Sequence, residues 1–140
     1  LYDDMHFLQN DCYYLEELDL AICGSRGWPT PDAATYTEHD EKMYLREQGR
    51  LRNSLVDAKK KGASRIIMAM HYPPAKMEET EFTRIMQEYG VMQCVYGHLH
   101  GMVAWTNGIK GEHGGIDYKL VSLDYLGARP KLIYDSEQEM

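Results

Sequence analysis

Three histidines follow apolar segments, at positions that suit metal ligands. His71 comes directly after the apolar run Arg65 to Met70, and His98 and His100 follow Val91 to Tyr96 in the order Gly-His-Leu-His-Gly. Imidazole is the commonest metal ligand in proteins, so three of them after two neighbouring segments indicate a metal site.

The segments before these histidines read as two parallel strands joined by a helix. Arg65 to Met70 is a continuous apolar run, typical of a strand buried on both faces, and two prolines after His71 end it. Glu78 to Tyr89 has helical periodicity, and Val91 to Tyr96 predicts the next strand. Ligands bind at the carboxyl ends of parallel strands, so we expect all three imidazoles at one edge of the sheet.

The spacing of His98 and His100 favours two metal ions over one. In an extended segment, residues two apart point to the same side and lie roughly 6.5 Å apart. One imidazole could then serve each of two ions about 3.5 to 4 Å apart. His6, His39 and His113 lack such a context, and we interpret them as surface or hydrogen-bonded residues.

The rest of the chain predicts further strands and one long helix. A helix is expected from about His39 to Lys61, with Thr35 and Glu38 as a capping box, after a Gly- and Pro-rich loop from Gly24 to Pro31. Strands are predicted at Met5–Gln9, Tyr13–Leu15 and Leu18–Cys23 before that loop, and as antiparallel strands at Met102–Trp105, Tyr118–Leu123 and Lys131–Tyr134 after the histidines.

Composition limits the class of protein. The chain has 140 residues, 44% of them hydrophobic, which suits one domain with a packed core. A net charge of -7 disfavours nucleic acid as a partner, and no apolar run is long enough to cross a membrane. Cys12, Cys23 and Cys94 form no Cys-x-x-Cys pair, so packed thiols in the cytoplasm are expected.

The motifs Met70-His71-Tyr72-Pro73 and Gly97-His98-Leu99-His100-Gly101 resemble the last two motifs of the calcineurin-like metallophosphoesterase superfamily. Residues 5–28 also resemble the segment after that family's Gly-Asn-His-Asp/Glu motif. The resemblance implies an α/β fold, namely the C-terminal part of a four-layer α/β/β/α sandwich, with residues 1–140 forming a single partial domain.

The resemblance also implies an activity and a ligand set. His71 and His98 would bind one metal and His100 the other, with two divalent ions (manganese, iron or zinc) as cofactors. The implied enzyme is a phosphohydrolase that acts on a phosphomonoester or phosphodiester, in which a metal-bound hydroxide attacks phosphorus. No serine or cysteine nucleophile is then needed.

Three further residues are candidates for substrate binding. Arg26 and Trp28, in the loop after the third predicted strand, could clamp a phosphate and stack on a leaving group, and Tyr72 could line the same pocket. The alternative is a surface loop whose tryptophan packs on the sheet.

The motifs that carry carboxylates in the family, and its general-acid histidine, are absent. Asp4-Met5-His6 has the letters of one motif but no buried strand before it. Glu38-His39-Asp40 echoes another but falls at a predicted helix start, where acidic residues belong. We interpret both as coincidental.

Three neutral imidazoles cannot offset the charge of two divalent ions, which leaves three hypotheses. The first is that an N-terminal half, in cis or in another chain, supplies the remaining ligands, so that Arg65 to Met70 lacks a neighbouring strand here. The second is a degenerate, non-catalytic binding module. The third is a mononuclear zinc protein that uses the three histidines and a carboxylate such as Asp32.

Overall fold

The computed structural model describes residues 5–8 and 10–137, which form a mixed α/β fold on one six-stranded sheet. The spatial order is β1-β2-β3-β4-β6-β5. The four inner strands are parallel to one another, and each outer strand is antiparallel to its neighbour. The strands are β1 (Cys12–Leu15), β2 (Leu20–Ser25), β3 (Arg65–Met70), β4 (Gln93–Tyr96), β5 (Gly111–His113) and β6 (Ile116–Leu120).

In the part of the chain that the structure describes, three α-helices and one short 3-10 helix connect these strands. They are the 3-10 helix Glu16–Leu18, α1 (Glu38–Lys60), α2 (Glu81–Glu88) and α3 (Met102–Trp105). Helix α1 packs on β1 and β2, and α2 packs on α1. None of the helices in the described ranges is long and apolar enough to cross a membrane.

The predicted crossover unit is confirmed. Strands β3 and β4 are parallel, are joined through α2, and have Met70 opposite Tyr96. The long helix is confirmed as well, although its capping box is formed by Thr37 and Asp40 and not by Thr35 and Glu38. The buried stripe of α1 includes Tyr44, Leu51, Leu55 and Ala58.

The expectation that β3 lacks a neighbouring strand is wrong. Strand β3 pairs with β2 on one side and with β4 on the other, both in parallel. The segment Leu20–Ser25 supplies the missing neighbour, because α1 is long enough to return the chain and make a second parallel crossover. Residues 66–68 in the centre of β3 are buried.

Among the described residues, the opening of the chain contains two strands and not the three that were predicted. Residues 5–8 have no regular secondary structure, and Gln9 lies outside the described residues. Strands β1 and β2 form an antiparallel pair whose connection is the 3-10 helix, closed by Asp19 at φ 51. Asp19 tolerates this left-handed conformation better than most residues.

The predictions after the histidines were largely wrong. Met102–Trp105 is helical, because a four-residue apolar run fits a helical turn as well as a strand. The strand predicted from Tyr118 is β6, which runs parallel to β4 and antiparallel only to β5. Residues 131–134 form no strand. The six strands of the described residues all lie in one sheet, whereas the resemblance implied contributions to two.

Candidate functional site

His71 and His98 lie together at the carboxyl ends of β3 and β4. The parallel register places the ends of the two strands side by side, and Gly97 N donates to the carbonyl of His71 at 3.3 Å. The two imidazole rings are 5.0 Å apart between centroids, at an interplanar angle of 67°. The predicted juxtaposition of these two histidines is therefore confirmed.

The backbone at His98 is not extended, which differs from the extended segment that the spacing of the two histidines predicted. His98 has φ 69, and Leu99 N donates to the Gly97 carbonyl at 2.8 Å, which closes a three-residue turn around it. This φ is uncommon for a residue with a Cβ, and such conformations concentrate at functional sites. Leu99 is buried beneath the turn.

The electrostatics at His98 favour the neutral imidazole. The His98 side chain is exposed, yet its ring lies against Tyr72 at 4.6 Å between centroids and against His71. Partial desolvation and the neighbouring His71 and His100 lower the pKa of His98. A neutral ring keeps a lone pair for a metal ion, so this shift suits a ligand.

His100 is paired with a carboxylate that the sequence did not predict. His100 Nδ1 lies 3.1 Å from Asp124 Oδ1, and Gly101 N donates to Asp124 Oδ2 at 2.7 Å. When Nδ1 carries the proton, Nε2 is the nitrogen with a free lone pair, an arrangement typical of metal-binding histidines. Asp124 follows β6, and because β6 runs parallel to β4 it lies at the same sheet edge as His100. No local signal in the sequence indicates this pairing.

The ionised form of Asp124 is strongly favoured. Desolvation opposes ionisation, but the hydrogen bonds from Gly101 N and His100 outweigh it and lower the pKa of Asp124 to about 2. A permanent negative charge therefore lies beside His100 at neutral pH.

The three candidate substrate-binding residues lie together beside the histidines. The Arg26 guanidinium carbon is 5.1 Å from the Trp28 ring centroid and 5.7 Å from that of Tyr72. Tyr72 N donates to the Arg26 carbonyl at 3.0 Å, and the Tyr72 ring is 4.8 Å from that of His71. The loop after β2 thus contacts the loop after β3.

Gly27 permits this close approach. Its φ is +70, and an added Cβ would lie 2.8 Å from the terminal methyl of Met70 and 3.5 Å from Tyr72. Trp28 Nε1 donates to Asp40 Oδ1 at 3.0 Å, which fixes the same loop to the start of α1. Glu38-His39-Asp40 is confirmed as a helix start.

An open cleft of about 650 Å³ borders this cluster, lined among others by Arg26, His71, Arg50 and Glu47. Glu47 is buried on α1 and accepts from Arg50 Nη1 at 2.9 Å. Arg26 and His71 therefore line the cleft, and on its wall the charges of Arg50 and Glu47 offset each other.

The donor chemistry suits divalent metal ions, but the ligand set is incomplete. In residues 5–8 and 10–137, no group of three or more His, Cys, Asp or Glu residues is arranged to hold one ion. Asp32, the carboxylate of the mononuclear hypothesis, instead accepts from Thr30 Oγ1 at 2.5 Å. Asp4 lies outside the described residues, and the His6 ring stacks on Tyr13 at 4.1 Å.

Comparisons of the chain with models of protein families, with curated proteins and with solved structures found no match. The function is therefore inferred from the residues and their geometry.

Proposed function

We propose that the chain is part of a metal-dependent phosphoesterase of the calcineurin-like class, which hydrolyses a phosphomonoester or phosphodiester at a dinuclear site. The observation that carries the proposal is the His71–His98 pair. Two imidazoles 5.0 Å apart lie at adjoining parallel strand ends, and one of them has a backbone φ of 69. Both imidazoles are exposed and are not part of the hydrophobic core, so a role in ligand binding explains their juxtaposition best.

Each histidine has a distinct part in this proposal. His71 and His98 hold one ion, and His100, oriented by Asp124, holds the other. When bound, divalent ions supply Lewis-acid stabilisation of the phosphate oxygens and activate the attacking water. The protein fixes the ligand nitrogens in place and keeps His98 neutral.

The remaining ligands are proposed to come from further polypeptide, in cis or in another chain. Neutral imidazoles do not offset the charge of two divalent ions, and carboxylates normally do so. The general-acid histidine is expected from the same source, as is the second sheet of a four-layer sandwich. A cytoplasmic location agrees with the three buried, free thiols.

Arg26 is proposed to bind the substrate phosphate. Its guanidinium is oriented by the Trp28 and Tyr72 rings and lines the cleft that also contains His71. A planar guanidinium can donate two parallel hydrogen bonds to a phosphate group, which gives both affinity and orientation.

The test is hydrolysis and metal content in the complete protein. We expect His71→Ala, His98→Ala and His100→Ala each to lower hydrolysis of p-nitrophenyl phosphate or bis-p-nitrophenyl phosphate with manganese by orders of magnitude. His113→Ala is the matched control, because His113 is exposed and bonds to the Lys110 carbonyl. Circular dichroism checks that each variant is folded.

Metal stoichiometry separates this proposal from its alternatives. Two ions per complete chain, with one lost in His98→Ala, supports the dinuclear site. One ion without turnover supports a mononuclear zinc protein, and none supports a non-catalytic binding module. Full turnover in His98→Ala would remove the proposed mechanism.

A further inference from the structure

A second, smaller pocket of about 130 Å³ opens beside His98. Four segments meet there: residues 29–33 after β2, residues 72–76 after β3, residues 98–99 after β4, and Asn107 between α3 and β5. His98 and Tyr72, which belong to the candidate site, form part of its wall. The pocket therefore borders the candidate site.

Hydrogen bonds fix the walls of this pocket to one another. Lys76 Nζ donates to the Asp32 carbonyl at 3.1 Å, which joins the loop after β3 to the loop after β2. Ile109 N donates to the Ala75 carbonyl at 3.0 Å, which joins the same loop to the segment before β5. The pocket is thus held by bonds between loops that are distant in sequence.

The lining of the pocket is mainly hydrocarbon, contributed by Pro29, Ala33, Pro73, Ala75 and Leu99. Two of its polar lining residues are engaged elsewhere, because the Thr30 hydroxyl donates to Asp32 and the Lys76 ammonium donates to a carbonyl. The other polar lining residues are Tyr72, His98 and Asn107. Because most of the exposed lining surface is nevertheless apolar, an apolar occupant is favoured over a phosphate or a sugar.

The size of the pocket indicates the size of its occupant. Its volume is close to that of an apolar cavity of about 150 Å³ that accommodates benzene. A single phenyl ring is therefore the occupant that matches this volume.

We infer that this pocket binds a phenyl-sized apolar group of the phosphate ester, next to the phosphate held at the histidines. The inference rests on the proposed phosphoesterase function for the identity of the ester, but the pocket itself can be tested without catalysis. The substrate is then a phosphate ester with a small aromatic group.

The binding test uses 4-fluorophenol, followed by fluorine NMR on the full chain. Ala33→Leu extends a side chain from the pocket wall, and Ala34→Leu makes the same change at the exposed neighbouring residue, which does not line the pocket. We expect the wild type and Ala34→Leu to bind the probe equally, and Ala33→Leu to bind it at least tenfold more weakly. Equal affinity in all three proteins would overturn the inference.

A second measurement needs no variant, and it decides the matter if Ala33→Leu fails to fold. Nuclear Overhauser contacts are expected between the bound ring and the methyl groups of Ala33 and Ala75. Contacts to other residues only would contradict the assignment.

Hydrolysis separates a failure of this inference from a failure of the proposed function. In the complete protein, Ala33→Leu is expected to lower the ratio of kcat/KM for phenyl phosphate to kcat/KM for methyl phosphate about tenfold, and Ala34→Leu to leave both values unchanged. Equal losses for both esters overturn the pocket assignment but leave a phosphoesterase. Probe binding without any metal-dependent hydrolysis overturns the function but leaves an aromatic-binding pocket.

Discussion

His98 has a backbone conformation that is unfavourable for its residue type. A left-handed φ brings Cβ close to the following carbonyl oxygen, which costs about 1 to 2 kcal/mol in a residue other than glycine. The turn is nevertheless fixed, because Leu99 is buried and its N–H is bonded to the Gly97 carbonyl. We therefore infer that the imidazole at this position serves a role other than stabilising the fold.

This strain predicts different stabilities for two substitutions. Both His98→Gly and His98→Ala remove the imidazole, but only glycine relieves the left-handed conformation. We expect His98→Gly to be more stable than His98→Ala by about 1 kcal/mol in urea unfolding. The control is the same pair at His100, whose φ is not positive, where glycine should be the less stable. Equal stability of the two His98 variants would show that the turn is unstrained.

Asp124 is a positioning residue for His100. Outer hydrogen-bond partners of metal ligands typically affect affinity by about 10- to 100-fold. We expect Asp124→Asn to weaken the binding of manganese or zinc to the complete protein by that factor in isothermal titration. Asp117→Asn is the control, because Asp117 is on β6 and pairs with Lys119 at 3.3 Å. Unchanged affinity in Asp124→Asn would remove this role.

At the scale of the elements, the sequence predicted those with strong local signals. Helix α1 has a long apolar stripe, and β3 is a continuous apolar run ended by prolines. The short helix α2 lies between two apolar runs, and this order predicted the parallel crossover. These elements place His71 and His98 at one edge, so this part of the candidate site was predictable.

The elements and contacts that were missed depend on long-range packing. The four residues of α3 carry too little pattern to distinguish helix from strand. Asp124 joins the site only because β6 inserts beside β4 in parallel, a pairing that no local signal specifies. The turn at His98 likewise depends on the hydrogen bond from Leu99 N to the Gly97 carbonyl. The Gly-His-x-His spacing does not reveal this hydrogen bond.

The start of α1 positions the loop that contains the substrate-binding candidates. The Asp40 carboxylate accepts from Thr37 N at 2.9 Å and from Trp28 Nε1 at 3.0 Å. One side chain therefore both caps the helix and fixes Trp28.

Asp40→Ala should accordingly affect both the helix and the loop. We expect a lower urea midpoint, because the Asp40 side-chain half of the capping box is lost, and faster hydrogen exchange of the Trp28 indole N–H measured by NMR. Glu38→Ala is the matched control, since it removes an acidic residue from the same turn but leaves the Asp40 bond to Trp28 in place. If the indole exchanges equally fast in both variants, Asp40 does not hold the loop.

At the scale of the whole molecule, carboxylates join elements that are distant in sequence. Asp19 accepts from Ser64 N at 3.2 Å, which joins the start of β2 to the residue before β3. Asp57 on α1 accepts from Cys12 N on β1 at 3.1 Å, and Asp124 joins the segment after β6 to the start of α3. Several junctions of the fold therefore depend on ionised aspartates.

The pKa shifts of these aspartates predict how stability depends on pH. Hydrogen bonds from Ser64 lower the pKa of Asp19, and at Asp57 desolvation is outweighed by bonds from Cys12 N and Lys61, which lower its pKa. The pKa of Asp124 is lowered to about 2. Because the folded-state pKa values lie below the unfolded value of about 3.9, this stability is fully present above about pH 4. It is lost as pH falls through the folded pKa values, because the unfolded chain then binds more protons.

We therefore predict that the urea midpoint of the wild-type protein falls steeply between about pH 4 and pH 2. Asp124→Asn should have a shallower fall over the same interval, because one of the titrating groups with a lowered pKa is gone. Repeating the series at high salt tests the cause, since salt screens long-range charge repulsion far more than it weakens short hydrogen bonds. If the two proteins have the same pH profile at high salt, net charge explains the acid sensitivity and the Asp124 hydrogen bonds do not. If the difference persists, the junction between α3 and the segment after β6 depends on the ionised form of Asp124.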